Sequence, residues 1–428
     1  MIGRCLKVGG LFVALVVSSG AQSGPIDLGT VETVGGRKVY RVDFGRTEAS
    51  LAKYAVAAFR MHGAFRLVPA MQGDFSFEFR SGSGGAVELE VFTGKPRRSR
   101  LRKVFRGTDT TKALLLACDE AVLKTTGTAG FFSGKLVYVS KRGKWKEVYV
   151  ADTLFLRASQ KTNYKSTSLN PSWSANGKGI FFTSDKRIYK DVYFMDLVAG
   201  SVKTVADYKG SNLRGVQSPV GGKVAYILSV TGNPELWIAA GIGARPRRIT
   251  TNSSNEAGPC WHPEGNRLIV TSDPTSKPQL YEVSLGSGRL TRIPTAVSRH
   301  CSEATWNPRN PDRIAFTVAV GGGFQIAEYD FGLRKSRVLT SGPADCLQPE
   351  WANDGRHIFF TERKGSKTRL MILDAGSDEE AKLTTRLKVL DGSGGESPRP
   401  KPLPIAKPVN LHDDRFGNCS QPRFFYER

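Results

Sequence analysis

Residues 170–185, NPSWSANGKGIFFTSD, and residues 258–273, GPCWHPEGNRLIVTSD, align without a gap. They share Pro171/Pro259, Trp173/Trp261, Gly177/Gly265 and a closing Thr-Ser-Asp. QPEWANDGRHIFFTER (348–363) puts Trp351, Gly355 and Thr361 at the same offsets, and EATWNPRNPDRIAFT (303–317) carries Trp306 with one residue more before Thr317. VQSPVGGKVAYILS (216–229) keeps the offsets with Gln217 in place of the aromatic, and TAGFFSGKLVYVS (128–140) fits with Ala129 at that position. The anchors Ala129, Trp173, Gln217, Trp261, Trp306 and Trp351 are spaced 44, 44, 44, 45 and 45 residues apart. A steady period of this length is the signature of a repeat protein.

Each copy has one grammar. A short segment ends at the anchor, and an Asn/Asp/Glu-Gly pair makes a tight turn, because such pairs tolerate positive φ. A strand such as IFFTS, LIVTS or IFFTE follows, then a second such as DVYFMDL or QLYEVSL. A basic, β-branched strand such as SVKTVA, RPRRITT or AKLTTRL ends the unit. Four short strands per copy, repeated radially, describe β-propeller blades; helical repeats would need a 3.6-residue apolar period that is missing. The expected fold is mainly β, a six-bladed β-propeller over 129–386 preceded by a small α/β domain over 22–128. Trp173, Trp261, Trp306 and Trp351 are expected to pack between neighbouring sheets.

Before the repeats, KVYRVDF (38–44) has a strand pattern and EASLAKYAVAAFRMHG (48–63) a helix pattern with Gly63 as its stop. AFRLVPAM, DFSFEFR and AVELEVFTG are strand-like, and DTTKALLLACDEAVLKTTG (109–127) is a second helix capped at Asp109. The basic run KPRRSRLRKVFR (95–106) has the character of a charged edge strand, where like charge discourages aggregation. Residues 387–428 contain GSGGESPRPKPLPIAKPVN, rich in Pro and Gly and basic, so an extended or disordered tail is expected there.

The chain has 428 residues, 39% hydrophobic and 24% charged, with 62 Lys plus Arg against 39 Asp plus Glu, a net charge of +23. That excess favours an acidic partner or surface. MIGRCLKVGGLFVALVVSSGAQS joins a charged start, a short apolar run and small residues near Ala21, the pattern of a secretory leader over residues 1–21. The expected compartment is therefore the periplasm. Cys118, Cys260, Cys301, Cys346 and Cys419 are odd in number and widely spaced, which leaves room for one bridge and no disulfide framework. The five histidines show no metal-ligand spacing along the chain, and no metal or cofactor is expected. There is no Gly-x-Ser-x-Gly elbow, no His-Glu-x-x-His and no phosphate loop, so an enzyme is not expected. No nucleic-acid motif is present.

The order of leader, α/β domain and six P-x-W-x-x-[ND]-G copies resembles the TolB family of the Tol–Pal envelope system, over about residues 30–385. LAKYAVAAFRMHGAFRLV and the helix-to-blade stretch EVFTGKPRRSRLRKVFRGTDTTKALLLACDEAVLKTTGTAGFFSGKLVYVS carry the likeness outside the repeat. The resemblance implies a non-enzymatic, monomeric periplasmic scaffold that binds a peptidoglycan-associated lipoprotein (Pal-like) over one channel mouth. Outer-membrane integrity and cell division are the processes it implies. It also implies a TolA-like partner at the N-terminal side, although QSGPIDLGTVETVGG departs from the short segment expected there. Family partner contacts lie in the loops before the anchors. The matching positions are Leu169 and Asn170, Leu213 and Arg214, Asn255, Glu256 and Ala257, Arg299, His300 and Glu303, and Asp345 and Gln348. The alternative readings are a propeller for anionic envelope polysaccharide and a propeller hydrolase or lyase.

Overall fold

The computed structural model describes residues 32–34, 37–376 and 407–427. The leader and the copy AKLTTRL at 381–387 lie outside the described residues.

Two helices and a mixed sheet build the N-terminal unit. The strands run Glu32–Val34, Arg37–Asp43, Phe75–Ser81, Val87–Thr93, Arg98–Phe105 in spatial order, with Phe65–Leu67 parallel to Arg37–Asp43. Arg98–Phe105 is the sheet's edge and mostly exposed, as its charge requires. Helix α1 spans Ala49–Arg60 and helix α2 Thr110–Thr126. Asp109 caps α2 by accepting from the Lys112 N–H, and Gly127 ends it with φ 77°, a conformation that suits glycine. Burial along α2 extends round most of its circumference, from Ala113 through Val122, because it is wedged between the sheet and the propeller.

Six four-stranded antiparallel sheets follow. In blade 2 the strands are Ser168–Trp173, Gly179–Ser184, Asp191–Asp196 and Val202–Ala206; blades 3, 4 and 5 repeat this over residues 212–248, 256–292 and 301–338. Each first strand ends at its anchor, and the first strands of neighbouring blades touch one another round the whole ring, so they form the channel wall. Trp261, Trp306 and Trp351 are buried and Trp173 half-buried. Two indole N–H groups bridge to the preceding first strand: Trp173 to the Arg423 carbonyl at 3.0 Å and Trp261 to that of Val216 at 2.9 Å.

The ring is closed by the end of the chain, and the expected anchor at Ala129 is corrected. Ala129 lies in no strand; it belongs to the link between α2 and blade 1. The first strand of blade 1 is Asn418–Phe425, at the far end of the chain, paired with Lys135–Lys141. The outer strand of blade 6 is Val409–Asn410 against Met371 and Ile372. An extended or disordered tail therefore does not hold for residues 407–427. Cys419-Ser-Gln421-Pro422-Arg423-Phe424 repeats Cys346-Leu-Gln348-Pro349-Glu350-Trp351 with Phe in the Trp position, which lets the same pairing form. Asp119 of α2 clasps this closure: it accepts from the backbone of Phe132 and Ser133 and from the Tyr426 hydroxyl at 3.1 Å. Burial raises its carboxyl pKa to about 6. All five described cysteines are free thiols.

The N-terminal unit sits on blades 6 and 1 at the end of the channel where the anchors lie. Phe59, His62, Phe131 and Phe132 pack there with His357 and Phe359. The opposite end, the mouth, is where each first strand begins.

Candidate functional site

Every first strand slips register once, at Leu169/Ser172, Leu213/Gly215, Ala257/Cys260, Ser302/Thr305, Leu347/Glu350 and Ser420/Arg423. At each slip one residue has positive φ: Asn170, Arg214, Gly258, Glu303, Gln348 and Gln421, all between 49° and 58°. Such a backbone costs a non-glycine residue about 1–2 kcal/mol and persists only where surroundings fix it. Here the fixing group is a threonine of the preceding blade. Thr183 accepts the Arg214 N–H, Thr271 that of Glu303, Thr317 that of Gln348 and Thr361 that of Gln421, at 3.0–3.1 Å. This is why Thr recurs after IFF, LIV, IAF and IFF. Blade 1 has Val139 opposite Ser420, without a hydroxyl, and the Asn170 N–H turns to the Gln421 side chain instead, at 2.7 Å.

The bulges turn six positions into the channel, and their chemistry is uneven. Gly258 contributes no side chain, and Arg214 of blade 3 reaches past it toward Glu303 of blade 5, at 3.6 Å. The Arg214 side chain is 16% exposed. Burial, and then the Arg423 charge, lower its pKa to about 10, against the pull of Glu303. Across the ring the bulges are amides: Gln348 accepts from Thr361 and the Gln421 backbone, and Gln421 faces Asn170. Deeper in, Arg423 pairs with Glu350 at 3.0 Å, above a cavity of about 340 Å³ walled by the anchor tryptophans. Charges held in such an apolar-walled recess are screened less than surface charges, so an entering group feels them strongly.

The residues expected from the sequence divide into three groups. Asn170, Arg214, Glu303 and Gln348 are brought together in the bulge ring. Arg299 and His300 lie on a mouth loop and Ala257 in the first strand of blade 4, paired with Thr271; Ala257 and Arg299 are exposed. His300 is half-buried edge-on to Phe324, and burial with the nearby Lys277 charge lowers its pKa. The rest are engaged by other groups of the blades. Glu256 is buried and accepts from Thr250, Asn252 and Ser272, so its expected place on an exposed loop is corrected. Asn255 is tied to Asp273, Asp345 to Arg363 at 2.8 Å, and Leu213 packs into the core between blades 3 and 4, with Leu169 half-buried. Gln421, Arg423, Glu350 and Gly258 were not among the expected residues. The Cys-x-Gln-Pro echo in the tail is the signal that identifies the first two.

A titratable cluster also lies outside the channel. His62, Asp354 and His357 place donor atoms within 4.8 Å of one another, all buried, where the N-terminal unit meets blade 6. His357 Nδ1 is 2.5 Å from Asp354, and Arg356 forks onto Asp374 at 2.8 and 2.9 Å. Asp354 is taken up by His357 and Asp374 by Arg356, so the chemistry fits a bonded polar network in blade 6, against which His62 of the N-terminal unit packs, better than a cation site. Arg356 and the histidines hold Asp374 far below the usual carboxylate range despite its burial.

The chain is similar in sequence and fold to known proteins. The TolB beta propeller domain family matches residues 122–393. The Tol-Pal system protein TolB of Bordetella pertussis is 29% identical over 171 residues, 40% of this chain and 39% of that protein. The TolB homolog of Chlorobium luteolum is 27% identical over 202 residues, 47% of this chain and 45% of its own length. The match thus spans less than half the length of these curated relatives. The crystal structure of TolB from Acinetobacter baumannii covers 94% of this chain and 98% of its own with a TM-score of 0.72, a likeness of fold at 17% identity.

Proposed function

The chain belongs to the TolB beta propeller domain family, and we propose that it is a non-enzymatic periplasmic scaffold of a Tol–Pal-like system. On this reading residues 1–21 direct export. The channel mouth receives a peptidoglycan-associated lipoprotein, and the N-terminal unit faces a TolA-like component. The coupling of such contacts would serve outer-membrane integrity and division.

The observation that carries the reading is the bulge ring. Strain, a half-dehydrated Arg214–Glu303 pair and amide groups are concentrated at one end of the channel, the end left open by the N-terminal unit. Strained backbone held by its surroundings belongs to sites that bind or react. Burial raises the pKa of the channel thiol Cys260 to about 12, which argues against a thiolate nucleophile there.

Calorimetric titration of the chain from Gln22 onward with the lipoprotein of the same organism, at physiological salt, tests this. Saturable binding that is weakened at least tenfold by Arg299→Ala with His300→Ala is expected. A folded protein without affinity contradicts the reading and leaves the anionic-polysaccharide alternative first.

A further inference from the structure

We propose that the mouth face also carries a docking surface for an anionic lipid bilayer, built from residues 141–146 of blade 1 and 185–190 of blade 2. This goes beyond the lipoprotein reading and does not depend on it.

The two segments are KRGKWK and DKRIYK. Each joins the second and third strands of its blade. Because a blade's strands alternate in direction, that loop lies at the end where the first strand begins, so both loops project from the mouth face. Blades 1 and 2 are neighbours: Trp173 bonds across their boundary to Arg423. The loops therefore form one sector beside the channel.

The composition of the sector is what water does not favour. Ile188 is 91% exposed, Tyr189 69% and Trp145 38%, three large apolar or aromatic groups on loop tips. Ile188 heads the large hydrophobics that the described residues expose. Cations surround them. Every residue from Lys141 to Lys146 is exposed with no acidic residue among them, and Arg187 and Lys190 are exposed beside Ile188 and Tyr189. The second loop's own acids are turned inward: Asp185 accepts from the Thr167 N–H at 2.7 Å, and buried Asp191 accepts from Asn212. Asp207 faces Arg187 only at 3.7 Å, both side chains about 60% exposed. Exposed Asp413 and Asp414, beside blade 1, face Arg415, Arg369 and Lys367, so the cations of the two loops remain in excess and the outward field is positive.

The loop bases are held so that the tips stand out. Lys186 lies over the rings of Tyr164 and Tyr193, at 4.1 and 4.0 Å, and so takes its charge down to the blade. Ile188 and Tyr189 follow two and three residues later and are left exposed. The corresponding connections of the other side of the ring, SVTGNP (229–234), DPTSKP (273–278) and GG (321–322), hold no aromatic and one lysine, Lys277. Blade 6, next to blade 1, adds exposed Lys364, with Lys367 facing Asp414 at 4.0 Å. The feature thus belongs to one sector rather than to propeller loops in general.

A protein groove would meet such tips with a shaped pocket, whereas separated aliphatic and aromatic tips ringed by Lys and Arg match the headgroup layer of a bilayer. Trp and Tyr settle at that depth, an aliphatic tip enters the acyl boundary, and basic side chains hold lipid phosphates. Lys144 over Trp145, at 4.7 Å, pairs an aromatic and a cation in this way. Electrostatic attraction alone falls off within a Debye length and disappears with salt; the apolar tips add a contribution that does not.

Sedimentation of the full mature chain with vesicles tests this. One set is pure phosphatidylcholine and the other contains about a third phosphatidylglycerol, each at low and physiological salt. The protein is expected to partition at least tenfold more strongly to the anionic vesicles. Ile188→Ser with Tyr189→Ser and Trp145→Ser should reduce that binding at least fivefold at physiological salt, with circular dichroism and Tm unchanged because the three side chains lie on loop tips. Equal partition to the two vesicle types, or no binding, overturns the proposal. Binding that salt abolishes and the apolar variant leaves unchanged overturns it too, because it reports adsorption of a basic protein rather than docking.

Discussion

The two ends of the channel are built on opposite principles. At the anchor end, aromatic side chains fill the wedges between blades, and buried Asp354 and Asp374 are bonded to His357 and Arg356 where His62 of the N-terminal unit packs on blade 6. At the mouth end, six residues stand at positive φ, a charged pair reaches across a glycine gap, and loop tips expose Ile188 and Tyr189. One end holds the ring together and the other, on the proposed reading, leaves groups for a partner. Substitutions should therefore separate into those that lower stability and those that lower binding.

The largest effect is expected from the strand that crosses this division. Removing residues 418–428 takes the channel wall from blade 1, strips the Trp173 bond to Arg423 and leaves buried Asp119 without Tyr426. The truncated chain should lose its single cooperative thermal transition, measured by calorimetry. Retention of wild-type Tm would show that the ring does not depend on this closure.

Next comes the junction. Asp374→Asn leaves Arg356 buried against a neutral partner, and breaking such a pair costs about 3–5 kcal/mol. Chemical denaturation should record that loss, with lipoprotein affinity unchanged at temperatures where the variant is folded.

The same junction sets a pH dependence. Burial, then the charges of His357 and Arg356, lower the His62 pKa well below its ordinary 6.5, against the pull of Asp374 and Asp354. The unfolded chain takes up a proton near pH 6.5 and the folded chain does not, so stability is full above that pH and declines as pH falls below it. Asp119, with its pKa raised to about 6, has the opposite sign, because between pH 4 and 6 the folded state holds the extra proton. Tm should decline more steeply from pH 7 to 5 in the native protein than in His62→Gln. Equal slopes would remove His62 from the account.

A smaller effect tests the threonine code. Thr317→Val keeps the shape but leaves the Gln348 N–H without its acceptor, a loss of about 1–3 kcal/mol. Val139, which already occupies this position in blade 1, shows that the fold tolerates it when a neighbouring amide takes over.

The blades are legible in the sequence because their signals are local: a turn glycine, a β-branched run and an aromatic anchor recur inside 44 residues. Ring closure is not, because its strand comes from the other end of the chain and carries Phe424 where the repeat has Trp. Ala129 satisfies the spacing, yet spacing along a chain does not determine which strand completes a sheet. At the mouth, offsets from the anchor locate Asn170, Arg214, Glu303 and Gln348. They cannot tell these from Glu256, whose side chain is recruited by Thr250 and Ser272. The His62–His357 contact joins residues from two units, and no spacing rule covers it.

The separation of the two ends is tested most directly by one paired measurement, lipoprotein affinity and Tm of Arg214→Ala with Glu303→Ala. Removing both partners leaves no unpaired charge from this pair, so Tm should remain within a few degrees of the native value while calorimetric titration records an affinity at least tenfold weaker. Unchanged affinity, or a fall in Tm large enough to account for the loss, would contradict the assignment of the mouth as the binding end.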